Sequence, residues 1–228
     1  MKWSKLLLSI SSKLLISLVA VLAICFAIGG KSVNVLWGVP LPKSELELLI
    51  RPFLRWHLLT IPPLLFACEY LSCIQHIEIF IRIRLKCSRK FAQMQIIPCA
   101  IISALWGSLV ALVGFIVSPV EFAINAFLLT AIGHIMWMCF FLSLYFIVES
   151  VPIALIVTIL SIVSVFYIGE LLNPKWKYLP TSWGMVFRSK LYDSSGIPPD
   201  LALRNALLVI CGTILIIHFV NWQRRRKL

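Results

Sequence analysis

The chain has 228 residues, of which 61% are hydrophobic and only 13% charged, and its mean hydropathy is +0.97. A soluble domain usually has about a quarter of its residues charged, so this composition excludes a single soluble core. The net charge of +12 suggests phosphate binding, but the cations lie in the gaps between apolar runs rather than over one surface. We therefore expect an all-α membrane protein that binds no nucleic acid.

A membrane-spanning helix needs about 20 mostly apolar residues. Lys2 and Lys5 precede the first apolar run as in a signal peptide, but Lys13 divides that run and it is long for a cleaved leader. We therefore predict an uncleaved first span after an interfacial helix, and six spans that form one transmembrane domain. The predicted spans are residues 14–30, 58–74, 96–117, 122–148, 151–168 and 203–220.

The distribution of Lys and Arg predicts the orientation, because short cytoplasmic loops are enriched in both. With six spans, the termini and the loops after spans two and four hold twelve of these cations, and the other side holds nine. Eight of the nine are spread over two long loops, 31–57 and 169–202, which we place outside the cell, and Arg204 lies at the start of span six. Both termini and residues 75–95 are then cytoplasmic, in a multi-pass protein of the bacterial cell membrane.

The first outer loop carries a helix start signal. Ser44 and Glu47 have the spacing of a capping box, in which each side chain binds a free amide of the first turn. Because Pro52 lacks the amide that a helix interior needs, we predict that this short helix ends near Arg51. Pro62 and Pro63 are expected to kink the second span.

The second outer loop has aromatic residues at helical spacing, including Trp183 and Phe187. We predict an interfacial or partly re-entrant helix there, followed by a turn at Pro198 and Pro199 into the last span. Two interpretations remain open. The segment is either a loop that rests on the membrane or a lid over a substrate path.

Catalytic and metal-binding patterns are missing from the sequence. The seven cysteines lack zinc-site spacing, and the four histidines lie in four separate segments. Cys68, Cys73 and His76 are the best fragment of a nucleophile site, without a further partner group. No phosphate-binding glycine-rich loop occurs, so we expect no enzyme activity and no cofactor in this chain. An integral membrane enzyme or accessory factor for peptide maturation remains the alternative.

Polar and small residues at membrane depth give further candidates. Polar groups there are costly and usually face the bundle interior or a watery path. For His134 the choice lies between a hydrogen bond linking two helices and a contact with substrate. The candidate substrate-path residues are Asn125, Thr130, His134, Trp183 and Phe187. Small residues on one face of span three predict close helix packing. They are Ser103, Gly107, Ala111 and Gly114.

Residues 77–91, "IEIFIRIRLKCSRKF", form a short cationic segment in this apolar chain. Arg82 and Arg84 are followed by Ser88-Arg89-Lys90 and the aromatic Phe91. With the six-span layout, this run resembles the permease subunit of type-2 ABC exporters, and more narrowly the small permeases of bacteriocin and lantibiotic systems. Cys87, and the lack of a second aromatic residue after Phe91, depart from the narrower pattern.

The resemblance implies that the segment after span two contains a coupling helix in a cleft of a separate ABC ATPase subunit, which holds ATP and Mg. It also implies a second permease copy or a sister permease, contacts with membrane lipids, and a peptide or amphipathic substrate in export or self-immunity. A simpler interpretation is that these cations only fix the orientation of the chain. The candidate coupling residues are Glu78, Ile79, Phe80, Arg82, Ile83 and Arg84.

Overall fold

The computed structural model describes the backbone of residues 16, 20, 36–39, 46–85, 88–117, 123–171, 179–191 and 194–225, and the side chains of 76–91 lie outside the description. No strand occurs in these ranges, so the prediction of an all-α fold is confirmed for the described part of the chain. The helices are α1 Leu46–Leu85, α2 Ser88–Val117, α3 Ala123–Val148, α4 Val151–Leu171, the one-turn α5 Pro180–Trp183, and α6 Pro199–Arg225.

Five of these helices are long and apolar enough to cross a membrane, which supports a multi-pass membrane protein. Their apolar stretches are Trp56–Gln75, Ala92–Ile116, Ile124–Val148, Val151–Ile168 and Pro199–Gln223. They correspond to predicted spans two to six, although the helices α1, α2 and α6 extend beyond the predicted limits. Predicted span one, the interfacial helix before it and the Ser44 capping box lie outside the described residues, apart from the helical Ile16 and Ala20.

The exterior of the bundle is apolar, the reverse of a soluble protein. Ile97, Ile101 and Leu105 recur every four residues on α2, and each is at least half exposed. The faces of α4 and α6 are similar, whereas polar side chains such as Ser103 and Thr158 are fully buried. Such a distribution is stable when lipid covers the exterior.

The prediction that a short outer helix ends near Arg51 is wrong, because α1 begins at Leu46 and continues through Pro52 to Leu85. The missing amide of Pro52 costs about 3 kcal/mol in a helix interior. Phe53 and Trp56, which follow on the next turn, are buried in the core, and burying two such rings stabilises the helix by a similar amount.

Two prolines at membrane depth leave a backbone carbonyl without its usual partner, and a side chain of the neighbouring helix binds each one. Pro63 has no N–H for the Leu59 carbonyl, which instead accepts a hydrogen bond of 2.7 Å from Trp106 Nε1 on α2. Pro98 in α2 frees the carbonyl of Met94 in the same way, and the Tyr70 hydroxyl on α1 donates to it at 2.7 Å. These reciprocal bonds fasten α1 to α2 as an antiparallel pair.

We expect Trp106→Phe to lower the free energy of unfolding by about 1–3 kcal/mol, because the buried Leu59 carbonyl loses its donor in an apolar medium. Thermal unfolding in mild detergent measures the change. Trp137→Phe is the matched control, because it removes the same ring volume from a buried tryptophan. The Trp137 indole packs edge-on against Phe140 in α3, with ring centroids 5.9 Å apart. Equal shifts for the two variants would count against the role of the Leu59 bond.

The antiparallel packing gives the bundle two different ends. The hairpin end has the C-termini of α1, α3 and α6, and the two-residue links at 86–87 and 149–150. The loop end has the N-termini of α1, α3 and α6, together with residues 36–39 and 179–191. This arrangement places Arg82, Arg84, Arg89 and Lys90 at the same end of the bundle as Arg224 and Arg225.

Candidate functional site

Residues 179–191, which we call the re-entrant segment, enter the bundle from the loop end before the last long helix. Pro180 begins the single turn of α5, where its missing amide removes no helix bond. A second turn, the 3₁₀ helix Val186–Arg188, follows after a break at Gly184 and Met185. The predicted interfacial or partly re-entrant helix through Trp183 and Phe187 is therefore two single turns, and both side chains are buried in the bundle.

The backbone of the re-entrant segment satisfies its own polar groups, as irregular backbone inside a membrane protein must. The amide of Met185 donates to Ser182, that of Arg188 to Met185, and that of Ser189 to Val186, at 3.0–3.3 Å. The Lys190 amide donates to the Ile197 carbonyl, and the Ile197 amide donates to the Arg188 carbonyl, both at 2.8 Å. These two bonds close residues 188–197 into a loop.

A contact between two glycines sets the depth of the segment. A Cβ atom built on Gly133 would lie 2.7 Å from the Cα of Gly184, and one built on Gly184 would lie 2.8 Å from the Cα of Gly133. Gly133 follows Ala123 by ten residues, which is about 15 Å of helix rise. The segment therefore contacts α3 about three turns from the start of that helix, inside the bundle.

Residues 36–39 cover the segment from the side of α2. Gly38 has φ +110, a conformation that favours glycine, and a Cβ there would lie 2.6 Å from the Cβ of Met185. Trp37 packs against Gly114 near the end of α2, at 3.0 Å from a Cβ built there. The segment is therefore enclosed between α3 and residues 36–39.

Arg188 is the charged group at the centre of this site and is only 1% exposed. Its Nε donates a hydrogen bond of 3.1 Å to the carbonyl of Val39. Its guanidinium carbon lies 4.9 Å from the centre of the Phe166 ring on α4, a cation–π distance. One side chain thus links the re-entrant segment to residues 36–39 and to α4.

The ring of Phe166 continues a stack that ends on α1. Phe53 lies on Phe166 with ring centroids 3.9 Å apart, and His57 lies on Phe53 at 5.6 Å. His57 is buried; its Nδ1 is 3.2 Å from the Thr60 hydroxyl, and its Nε2 has no hydrogen-bond partner within the described ranges. A cation, two aromatic rings and an imidazole therefore join the segment to α4 and α1.

The candidate substrate-path residues lie in two groups. Thr130 and His134 are buried in α3, where Thr130 Oγ1 donates to Ala126 at 3.0 Å, and Asn125 is exposed at the start of that helix. Trp183 and Phe187 are buried in the re-entrant segment. The Gly133–Gly184 contact brings the two groups together at the level of the backbone.

The imidazole of His134 faces α2. Its Cδ2 lies 3.2 Å from a Cβ built on Gly107, and the Cα of Ala131 lies 2.8 Å from the same point. A side chain at Gly107 would therefore push α2 and α3 apart. Of the other small residues on this face of α2, Ser103 and Ala111 are buried, and Gly114 contacts Trp37 as described above.

The candidate coupling residues lie on the last turns of α1. The short helix expected there is the C-terminal end of α1, which passes the apolar stretch at Gln75 and continues to Leu85. The side chains concerned, and also Cys87, lie outside the description. The candidate nucleophiles Cys68 and Cys73 are half-buried and exposed free thiols, and within the described residues no group of His, Cys, Asp and Glu could hold a metal ion.

Several residues of this site were not predicted from the sequence. Arg188 counted only as one cation of an outer loop, although its neighbours Phe187 and Val186 are apolar. Gly133 and Gly184 are distant in the chain, so no sequence pattern pairs them. The aromatic Trp183 beside Gly184 was the one sign in the sequence that this segment is buried. In comparisons with family models, curated proteins and solved structures, nothing matches this chain.

Proposed function

We propose that this chain is the membrane-spanning permease subunit of an ATP-driven ABC exporter in the bacterial cell membrane. In this proposal separate ATPase subunits bind the hairpin end in the cytoplasm, and a second permease copy or a sister permease completes the pore. The substrate is a peptide or another amphipathic compound, as in export of a bacteriocin or self-immunity to it.

The observation that carries the proposal is the continuity of α1 between the two ends of the bundle. Its 40 residues correspond to about 60 Å of helix. The loop end of this helix carries Phe53 and His57 in the stack with Arg188, and the hairpin end carries Arg82 and Arg84. A partner that displaces the hairpin end therefore also displaces the buried site about 45 Å away.

The re-entrant segment supports the same proposal at the opposite end. It is anchored by one glycine contact on α3 and by Arg188 on α4, so its position depends on how these helices lie relative to α1. A segment held in this way can close the bundle in one arrangement of the helices and leave it in another. This is the role of an outer gate in an alternating-access exporter.

The basic residues at the hairpin end give the first test, in which the chain is expressed with the ATPase genes adjacent to its own gene. We expect Arg82→Glu/Arg84→Glu to reduce co-purification of the ATPase by at least about tenfold, because buried interface charges of the wrong sign repel. Arg224→Glu/Arg225→Glu makes the same charge change at the same end and should retain the ATPase. If both double variants retain it, the hairpin is not the contact.

A further inference from the structure

The end of α1 and the start of α2, which carry the basic residues Arg82, Arg84, Arg89 and Lys90, form the basic hairpin. Both helices are bonded to the same hydroxyl on α3. Gln75 on α1 donates its side-chain amide to the Tyr145 hydroxyl at 3.4 Å, and Gln95 on α2 donates to it at 3.3 Å. Gln75 also lies 3.4 Å from the carbonyl of Glu149, the first residue after α3. Tyr145 is therefore in contact with both arms of the hairpin, one turn before the link between α3 and α4.

One side of this site is enclosed and the other is open, because Gln95 and Tyr145 are buried whereas Gln75 is half-buried and Glu149 is exposed. Gln95 is 1% exposed and Tyr145 is 6% exposed. The distances exceed the usual range of about 2.7–3.2 Å, so each bond is individually weak. Bonds of this length hold the three helices together and still allow them to rearrange.

Two features of the same site are energetically unfavourable. Gln95 Oε1 is buried without a hydrogen-bond partner among the described residues, a situation that native proteins generally avoid. Glu149 has φ +60, a left-handed conformation that favours glycine, while its amide donates to the Tyr145 carbonyl at 2.8 Å. Strain of this kind persists only where the surrounding structure enforces it, and it clusters at sites that include switch regions.

A rotation of the Gln95 amide by half a turn supplies a second arrangement. Oε1 then faces the Tyr145 hydroxyl, which can donate to it, while Nε2 gives up its own bond to that hydroxyl. Because the bond from Tyr70 to the Met94 carbonyl fastens α1 to α2 immediately beside Gln95, both glutamines move with the hairpin as one unit.

We propose that Tyr145 is a positioning residue that transmits movement of the basic hairpin to the junction of α3 and α4. The hydroxyl exchanges its bonds to Gln75 and Gln95 as the hairpin moves, and the left-handed residue Glu149 absorbs the change in direction between the two helices. The identity of the partner that moves the hairpin, an ATPase, rests on the proposed function; the mechanical connection through Tyr145 does not.

Hydrogen exchange on the purified chain tests the connection without any partner. We expect Gln75→Leu/Gln95→Leu to accelerate amide exchange at residues 149–155 by about fivefold, since these side chains hold the junction. Coupling is reciprocal, so Tyr145→Phe should accelerate exchange at residues 76–85 by a similar factor of about five. Thr213→Val, which removes a hydroxyl bonded to the Ile210 carbonyl within α6 at 2.8 Å, should change neither region. Effects confined to the mutated helix would overturn the proposal.

The captured ATPase complex gives a second readout that a purely structural role of Tyr145 would not change. In the wild-type complex, addition of MgATP and vanadate should change amide exchange at residues 149–155. The Tyr145→Phe complex should contain the ATPase at equal stoichiometry. Its change in exchange should be about threefold smaller than that of the wild type. A full response in Tyr145→Phe would contradict the proposal. If the wild type captures no ATPase, the proposed function fails, and the exchange experiment on the isolated chain still decides the connection.

Discussion

Gly133→Ala is expected to lower the free energy of unfolding by about 2–3 kcal/mol, because overpacking at a rigid contact costs this much. The added methyl would lie 2.7 Å from the Cα of Gly184, a backbone atom that cannot turn away as a flexible side chain does. Either α3 moves or the re-entrant segment leaves its place. We expect the segment to move, since it is held by two single turns rather than by a long helix.

Thermal unfolding in detergent and limited proteolysis within residues 179–191 measure the effect of Gly133→Ala. Gly212→Ala is the matched control, because a Cβ at Gly212 in α6 meets nothing within 4 Å. That change should stabilise the helix by up to about 1 kcal/mol through higher helix propensity. Opposite signs for the two variants support the Gly133–Gly184 contact, and equal stability would contradict it.

Arg188→Ala is expected to destabilise the protein by about 3–5 kcal/mol, the largest effect among the single substitutions considered. The Val39 carbonyl loses its charged donor, the Phe166 ring loses its cation, and a cavity remains where a fully buried side chain was. Arg188→Lys should recover only part of the loss, because an ammonium group lacks the planar shape that stacks on a ring.

The control for Arg188→Ala lies two residues away in the same segment. Lys190 is exposed, and its contact with Ile197 is made by the backbone amide. Lys190→Ala removes the same charge and should change stability by no more than about 0.5 kcal/mol. We expect protease cleavage within 179–191 to accelerate in Arg188→Ala and not in Lys190→Ala. Similar cleavage in both would show that Arg188 does not anchor the segment.

The general fold could be predicted from the sequence because hydropathy is a property of single residues that sums along a span. Ile97, Ile101 and Leu105 are apolar on the exposed face of α2, and the run they belong to identifies the span without any partner helix. The predicted limits for spans four and five agree with α3 and α4 within about three residues for the same reason, whereas α2 begins eight residues before predicted span three.

The interior of the site could not be predicted, because it depends on pairs of residues that are distant in the chain. Pro52 signalled a helix end, and the tertiary burial of Phe53 and Trp56 outweighed that local signal. Arg188 and Lys190 are both basic residues of the same predicted loop, yet Arg188 is buried and Lys190 is exposed. The Phe166 ring and the Val39 carbonyl, on other parts of the chain, contact Arg188.

The prolines illustrate the same limit at a smaller scale. From the sequence, Pro62 and Pro63 predict a kink in the second span, and no prediction was made from Pro98. In the structure, Trp106 and Tyr70 bind the freed carbonyls and turn these positions into contacts between α1 and α2. No pattern within either helix identifies its partner, since each bond joins residues on separate spans.

The most direct test of the proposed function is the subunit composition of the complex purified in mild detergent with the chain tagged and its neighbouring genes present. Native mass spectrometry should give one ATPase subunit for each permease subunit in a particle with two permeases. The particle should hydrolyse ATP. A correctly folded chain that purifies alone, or with partners that bind no nucleotide, would contradict the proposal that it is the permease of an ATP-driven exporter.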